Sequence, residues 1–205
     1  METTTITSQR QPDAPIDARF ADRRSHYAFD PTPLGDGTLA SLLEAARWAP
    51  SSFNEQPWRF HIATRGPDRD RLDATLMAGN RAWSDDAPAI IWIVAKTTLS
   101  DHSYAGKMGL AGQANRHAWF DTGSATMQLL LEAQAHGLVT RPMGGLDPEA
   151  AHAALGLDDE HDVIAAIAVG RPGPIAALPD ALRRRAEAPP SGRLPVADLL
   201  VGGDD

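Results

Sequence analysis

Apolar positions along the chain follow two periods, and the alternation between them sketches a fold. Leu39, Leu42, Leu43 and Ala46 stand at i, i+3, i+4 and i+7, on one face of a helix expected over 38–48. Pro50 disfavours helix at Ala49 and ends the element. Trp58, Phe60 and Ile62 alternate with Arg59, His61 and Ala63, the two-residue period of a half-buried strand. Residues 89–95 are apolar without interruption and read as a central strand covered on both faces. Short helices are expected over 18–25 and 67–78, and the longest over 118–136, stopped by Gly137. Further strands are expected at 138–140 and 163–169. Asp147-Pro148-Glu149 supplies an N-cap, a proline at the first helical position and an acid near the positive helix end. Residues 97–116 are polar and weakly periodic, an excursion expected to be mobile.

Strands and helices mix without a strict βαβ repeat. The expected class is therefore α+β, a sandwich with a mostly antiparallel central sheet flanked by helices. The 205 residues fit one domain. Residues 1–17 are polar, lack the apolar core of a secretory signal, and read as a mobile arm. The folded domain is expected over 18–172. Over 173–205 proline and glycine are frequent and no periodicity holds. Leu194, Leu199 and Leu200 make this tail too apolar for a solvent linker, so it is expected to lie along another surface, such as a second subunit.

The formal net charge of −8 argues against nucleic-acid or anionic-membrane partners. No apolar run approaches the length of a membrane span. The chain has no cysteine, which excludes disulfides, thiol redox chemistry and thiolate metal sites and fits a reducing, cytoplasmic compartment. The histidines are read as offering no His-x-x-x-His or Glu-x-x-His metal pairing, and no metal site is expected. Of the 19 basic residues only Lys96 and Lys107 are lysine, so positive charge is carried almost wholly by planar arginine forks.

Three segments carry candidate chemistry. Pro50-Ser51-Ser52-Phe53-Asn54-Glu55-Gln56-Pro57-Trp58 sets neutral donors and acceptors between two prolines, which suits a flat, heteroatom-rich ligand. Arg23-Arg24-Ser25 offers two guanidinium groups and a hydroxyl, and Arg193 lies in Ser191-Gly192-Arg193-Leu194-Pro195. Arginine matches phosphate in bidentate geometry. In Pro142-Met143-Gly144-Gly145 two glycines let the backbone approach a ligand and point N–H groups at it. No Gly-x-Gly-x-x-Gly follows a strand, so no separate dinucleotide-binding domain is expected.

The run Ala49-Pro50-Ser51-Ser52-x-Asn54-x-Gln56-Pro57-Trp58, after Arg23-Arg24-Ser25, resembles the nitroreductase family of FMN-dependent oxidoreductases. The resemblance covers about 22–195. It implies an intertwined homodimer whose tails embrace the partner and whose flavin sites lie at the subunit interface. NADH or NADPH would be the reductant, and a small acceptor such as a nitroaromatic or quinone would follow it at the same ring face in ping-pong order. No catalytic side chain is implied. The resemblance puts the FMN phosphate on Arg23, Ser25 and Arg193, with Arg24 beside them. It puts the ring near Tyr27, Pro50, Ser51, Ser52, Asn54 and Asn80. Pro142, Met143, Gly144 and Gly145 would lie by the hydride-accepting nitrogen, where a backbone donor steadies the reduced ring. Two positions depart from the family pattern: Tyr27 stands where a basic residue is frequent, and Gly144 where some members have an acid. Phe120-Asp121-Thr122-Gly123 resembles the Tyr-Asp-x-Gly of a subgroup. A helical glycine costs about 1 kcal/mol relative to alanine, so Gly123 is expected to pack closely against something flat or against another helix. Two alternatives stay open: another flavin reaction on the same scaffold (dehalogenation, dehydrogenation or flavin destruction), and a non-catalytic flavin-binding module.

Overall fold

The computed structural model describes residues 10–202; positions 1–9 of the expected arm, and 203–205, lie outside the described residues. In chain order the main elements are α1 (Ala18–Asp22), β1 (Phe29–Asp30), α2 (Asp36–Arg47), β2 (Trp58–Thr64), α3 (Pro67–Asp73), α4 (Ala78–Ser84), β3 (Ala89–Lys96), α5 (Ala118–Ala135), β4 (Val139–Met143), α6 (Pro148–Leu155), β5 (His161–Pro172) and α7 (Asp180–Glu187). β3 pairs with β2 on one side and β5 on the other. The far edge of β5 carries β4 and then β1. All these strand pairings are antiparallel, as the α+β reading expects.

The sheet separates two apolar clusters. On one face Ile91, Ile93, Ile167 and Val169 meet Leu39, Leu42 and Ala46 of α2 and Ala125, Leu129 and Ala133 of α5. On the other, Ile90, Trp92, Val94 and Ala168 meet Leu72 of α3, Trp83 of α4, Ala151 of α6 and Leu182 of α7. Successive side chains of a strand point to opposite faces, so a strand with helices on both sides is apolar at every position. Each fully buried Leu or Ile contributes about 1.5–3 kcal/mol. Ala63, expected to face outward, is buried in the second cluster, because α3 packs over that part of β2; Arg59 on the same face stays exposed.

Several boundaries differ from the sequence reading, and each difference shapes the site. α1 stops at Asp22, not at 25: Arg23 turns extended (φ −58°, ψ 124°), Ser25 forms a parallel bridge with Thr140, and the His26 N–H donates to the Thr140 carbonyl at 3.2 Å. The single helix expected over 67–78 is two. Between them the Met77 N–H donates to the Gly145 carbonyl at 3.0 Å, and the Asp147 N–H to the Thr75 carbonyl at 2.8 Å, so sheet-like pairing replaces helix there. β4 continues to Met143 and β5 spans 161–172. Residues 97–116 form a closed excursion, with Leu99 N–H donating to the Gln113 carbonyl and Asn115 N–H to the Thr97 carbonyl, and a wide helical turn at Gly106–Leu110. The segment read as an aperiodic tail contains α7, which seats Leu182 on the core.

Candidate active site

The extended backbone from Arg23 to Tyr27 runs beside β4, and this pairing builds an anion cavity. Arg23, Arg24, Ser25 and Tyr27, Arg141 of β4, Arg185 of α7, Ser191 and Arg193 of the tail, and Arg10 line a space of about 290 Å³. Among the described residues its lining has six arginines and no carboxylate. The guanidinium groups act on one another. Burial lowers the pKa of Arg23, and Arg193 adds to the effect. Arg10 is lowered by burial, then by Arg193, Arg23 and Arg24. Burial first, then Arg24, Arg141 and Arg23, push His26 down to about 4, so its imidazole is neutral at pH 7. Guanidinium groups gathered this closely favour an anion among them.

The expected phosphate residues Arg23, Arg24, Ser25 and Arg193 are thus brought together, although they come from opposite ends of the chain. The sequence reading did not include Arg10, Arg141, Arg185 or Ser191. Arg141 lay just beyond the expected end of its strand. Arg185 lay in a segment read as having no regular structure.

β4 leads from this cavity into the glycine turn. There Asn80 Nδ2 donates to the Gly145 carbonyl at 2.8 Å. A Cβ on Gly145 would lie 2.8 Å from that Nδ2, whereas a Cβ on Gly144 would meet nothing within 4 Å. The turn is tight on the Asn80 side and open at Gly144. Asn80 sits on α4 rather than in a turn. Pro142 is exposed on β4, and Met143 is buried in the core beside Trp83 and Trp92.

The loop at Pro50–Gln56 is strained and braced. Phe53, Asn54 and Gln56 have φ of 55°, 55° and 51°, the left-handed region that side chains rarely occupy. Asp121 Oδ2 accepts the Ser52 N–H at 2.9 Å. Ser51 Oγ accepts the Gln56 N–H at 3.0 Å. The buried Glu55 accepts the Ser100 N–H through Oε1 at 2.8 Å. Asp121 of the Phe-Asp-Thr-Gly run is therefore a brace for this loop. None of Pro50, Ser51, Ser52 and Asn54 lines the arginine cavity, so the chain by itself does not bring the two halves of the expected flavin site together there. Gly123 has nothing within 4 Å of a built Cβ; the close packing expected of it does not occur within the chain. Glu149 and His152 of α6 do stand at a Glu-x-x-His spacing, but His152 Nε2 pairs with the Asp158 carbonyl at 2.9 Å, and no group of three metal-binding side chains occurs among the described residues.

Fold and site together define an α+β protein with an arginine-lined cavity suited to an anion and an open glycine turn three residues beyond Arg141. The sequence profile of the Nitroreductase family matches residues 20–171, and the chain belongs to that family of oxidoreductase enzymes. A solved oxidoreductase containing FMN is 32% identical, with 98% of each chain covered and a TM-score of 0.87. An NADH dehydrogenase of Thermus thermophilus is 31% identical across 91% of this chain and 96% of its own length. A solved enone reductase of gut-bacterial fatty acid saturation is 26% identical over 76% of this chain and 88% of its own, with a TM-score of 0.66.

Proposed function

We propose that the chain is an FMN-dependent NAD(P)H oxidoreductase that reduces a small acceptor such as a nitroaromatic or quinone, the two substrates taking turns at one site. The observation that carries this reading is the cavity whose lining, among the described residues, has six arginines and no carboxylate. A phosphate monoester brings up to two negative charges and several acceptor oxygens, which fits that donor set. Arg23, Ser25 and Arg193 hold the phosphate, and Arg24 adds charge beside them. The open face at Gly144, with Gly145 fixed by Asn80, fits a flat ring approaching backbone N–H groups. When bound, FMN supplies the hydride relay between reductant and acceptor. The protein's part is to grip the phosphate, orient the ring and aim backbone donors at it. No nucleophile or acid–base side chain is required.

The working unit is a homodimer. The Pro50–Asn54 segment lies off the arginine cavity and serves the site of a partner. Trp48 and Phe120 are 71% and 75% exposed, Gly123 is open, and Leu194, Leu199 and Leu200 of the tail are exposed. Together they offer the apolar surface a second copy would cover. No helix among the described residues is long and apolar enough to cross a membrane, and the absence of cysteine fits the cytoplasm.

The test is spectroscopic. The purified protein is expected to be yellow, to bleach with NADH or NADPH without oxygen, and to regain colour with a nitroaromatic or quinone. An enone belongs among the acceptors tried, given the enone reductase among the relatives. Initial rates at several acceptor concentrations should give parallel double-reciprocal lines. A colourless protein that ignores added FMN would refute the reading; bleaching that requires bound acceptor would refute the alternation.

A further inference from the structure

β4 fixes one guanidinium in an unusual setting. Arg141 lies over the Tyr27 ring, its Cζ 3.6 Å from the centroid, and 5.1 Å from the centroid of Trp83. Its Nη1 reaches the Ser25 carbonyl at 3.5 Å. Burial lowers its pKa, Tyr27 opposes that, and Arg185 adds to it; no carboxylate is among these influences. Aromatic faces hold a cation in place without neutralising it. A charge kept partly out of water and without a counter-ion is costly, so this arrangement is matched to an anion from outside the chain.

The cavity's arginines fall into two groups. Arg10, Arg23, Arg24 and Arg193 act on one another, and Arg141 is coupled to Arg185. The first group contains the phosphate residues. Arg141 belongs to the second, on a strand that reaches Gly144 three residues later.

We propose that Arg141 is the fixed cation of the cofactor site: laid across the ring of Tyr27, it stabilises the negative charge that the flavin ring gains on reduction. The proposal rests on the FMN reading above. Hydride transfer breaks a C–H bond of the dihydronicotinamide and forms an N–H bond on the ring. It carries two electrons and one proton, so the neutral ring ends with one negative charge and the nicotinamide with one positive charge. A cation held near the ring favours that product, and Arg141 therefore raises the reduction potential.

The experiment measures the two-electron midpoint potential of the flavin-loaded protein against a reference dye, with FMN and riboflavin affinities measured alongside. Arg141→Gln is expected to weaken the preference for reduced over oxidised flavin roughly tenfold, a fall of about 30 mV. Its affinities for oxidised FMN and riboflavin should change together and little. Arg141→Lys should keep most of the potential. Tyr27→Lys/Arg141→Gln, which moves the charge onto position 27, should restore it. An unchanged potential in Arg141→Gln overturns the proposal, as does loss of FMN affinity with riboflavin binding intact, which would make Arg141 a phosphate ligand. If Arg141→Gln holds no flavin, Arg141→Lys decides: a potential near wild type supports the proposal and a tenfold loss overturns it. Wild-type protein that binds no FMN would instead overturn the flavin reading, before any variant is compared.

Discussion

Burial, with Arg24, Arg141 and Arg23 adding to it, holds His26 neutral and makes the fold sensitive to acid. The His26 pKa is lowered from 6.5 to about 4, burial being the first cause. Between those values the unfolded chain binds a proton that the folded chain does not. His26 therefore favours the folded state fully above pH 6.5, and that contribution fades as pH falls towards 4, by at most about 3 kcal/mol. In urea unfolding of the flavin-free protein at pH 7 and pH 4.5, His26→Gln should lose less stability on acidification than wild type. Equal losses would contradict the assignment. At this scale the proposed phosphate residues Arg23, Ser25 and Arg193, which line one cavity, could be picked out in the sequence because they sit in motifs. Arg141 could not, because its role comes from stacking on Tyr27, 114 residues away in the chain. Asp121 was visible as part of a motif, but its bond to the Ser52 N–H depends on where α5 packs.

Elements with a one-sided or two-sided apolar pattern were legible: α2, α5 and β3 appear within about two residues of their expected limits. α7 was not. It lies between Pro179 and Pro189, is built of good helix formers, and buries only Leu182, so it has no apolar stripe to read. The break between α3 and α4 was missed for a related reason: local sequence permits helix, and pairing of Thr75–Met77 with 145–147 overrides it. α7 joins the core to the site, since Leu182 anchors the helix that presents Arg185 and leads to Arg193. Leu182→Ala is expected to cost about 2–3 kcal/mol in chemical denaturation and to weaken FMN binding as well. Loss of stability with FMN affinity unchanged would separate the helix from the site.

At the scale of the whole molecule, the chain leaves open the surfaces that its fold does not cover. A space of about 780 Å³ between the N-terminal segment and the tail is lined by Ile16, Phe20, Leu194, Val196 and Leu199 together with Arg10 and Arg193, so apolar tail and anion cavity share a wall. Asp13 accepts the Val196 N–H at 2.9 Å, which ties the two ends of the described chain to each other. Light scattering should give about twice the 21.9 kDa chain mass. Removing residues 188–205 should yield monomer and release FMN together; a truncated chain that stays a flavin-loaded dimer would refute the tail's role. The central claim is that the arginine cavity takes the phosphate of FMN, and one comparison tests it most directly: the affinities of Arg23→Ala and Arg193→Ala for FMN and for riboflavin, which has no phosphate. The account predicts a loss of about 1.5–3 kcal/mol for FMN in each variant with riboflavin binding almost unchanged. Equal weakening of both flavins would contradict it.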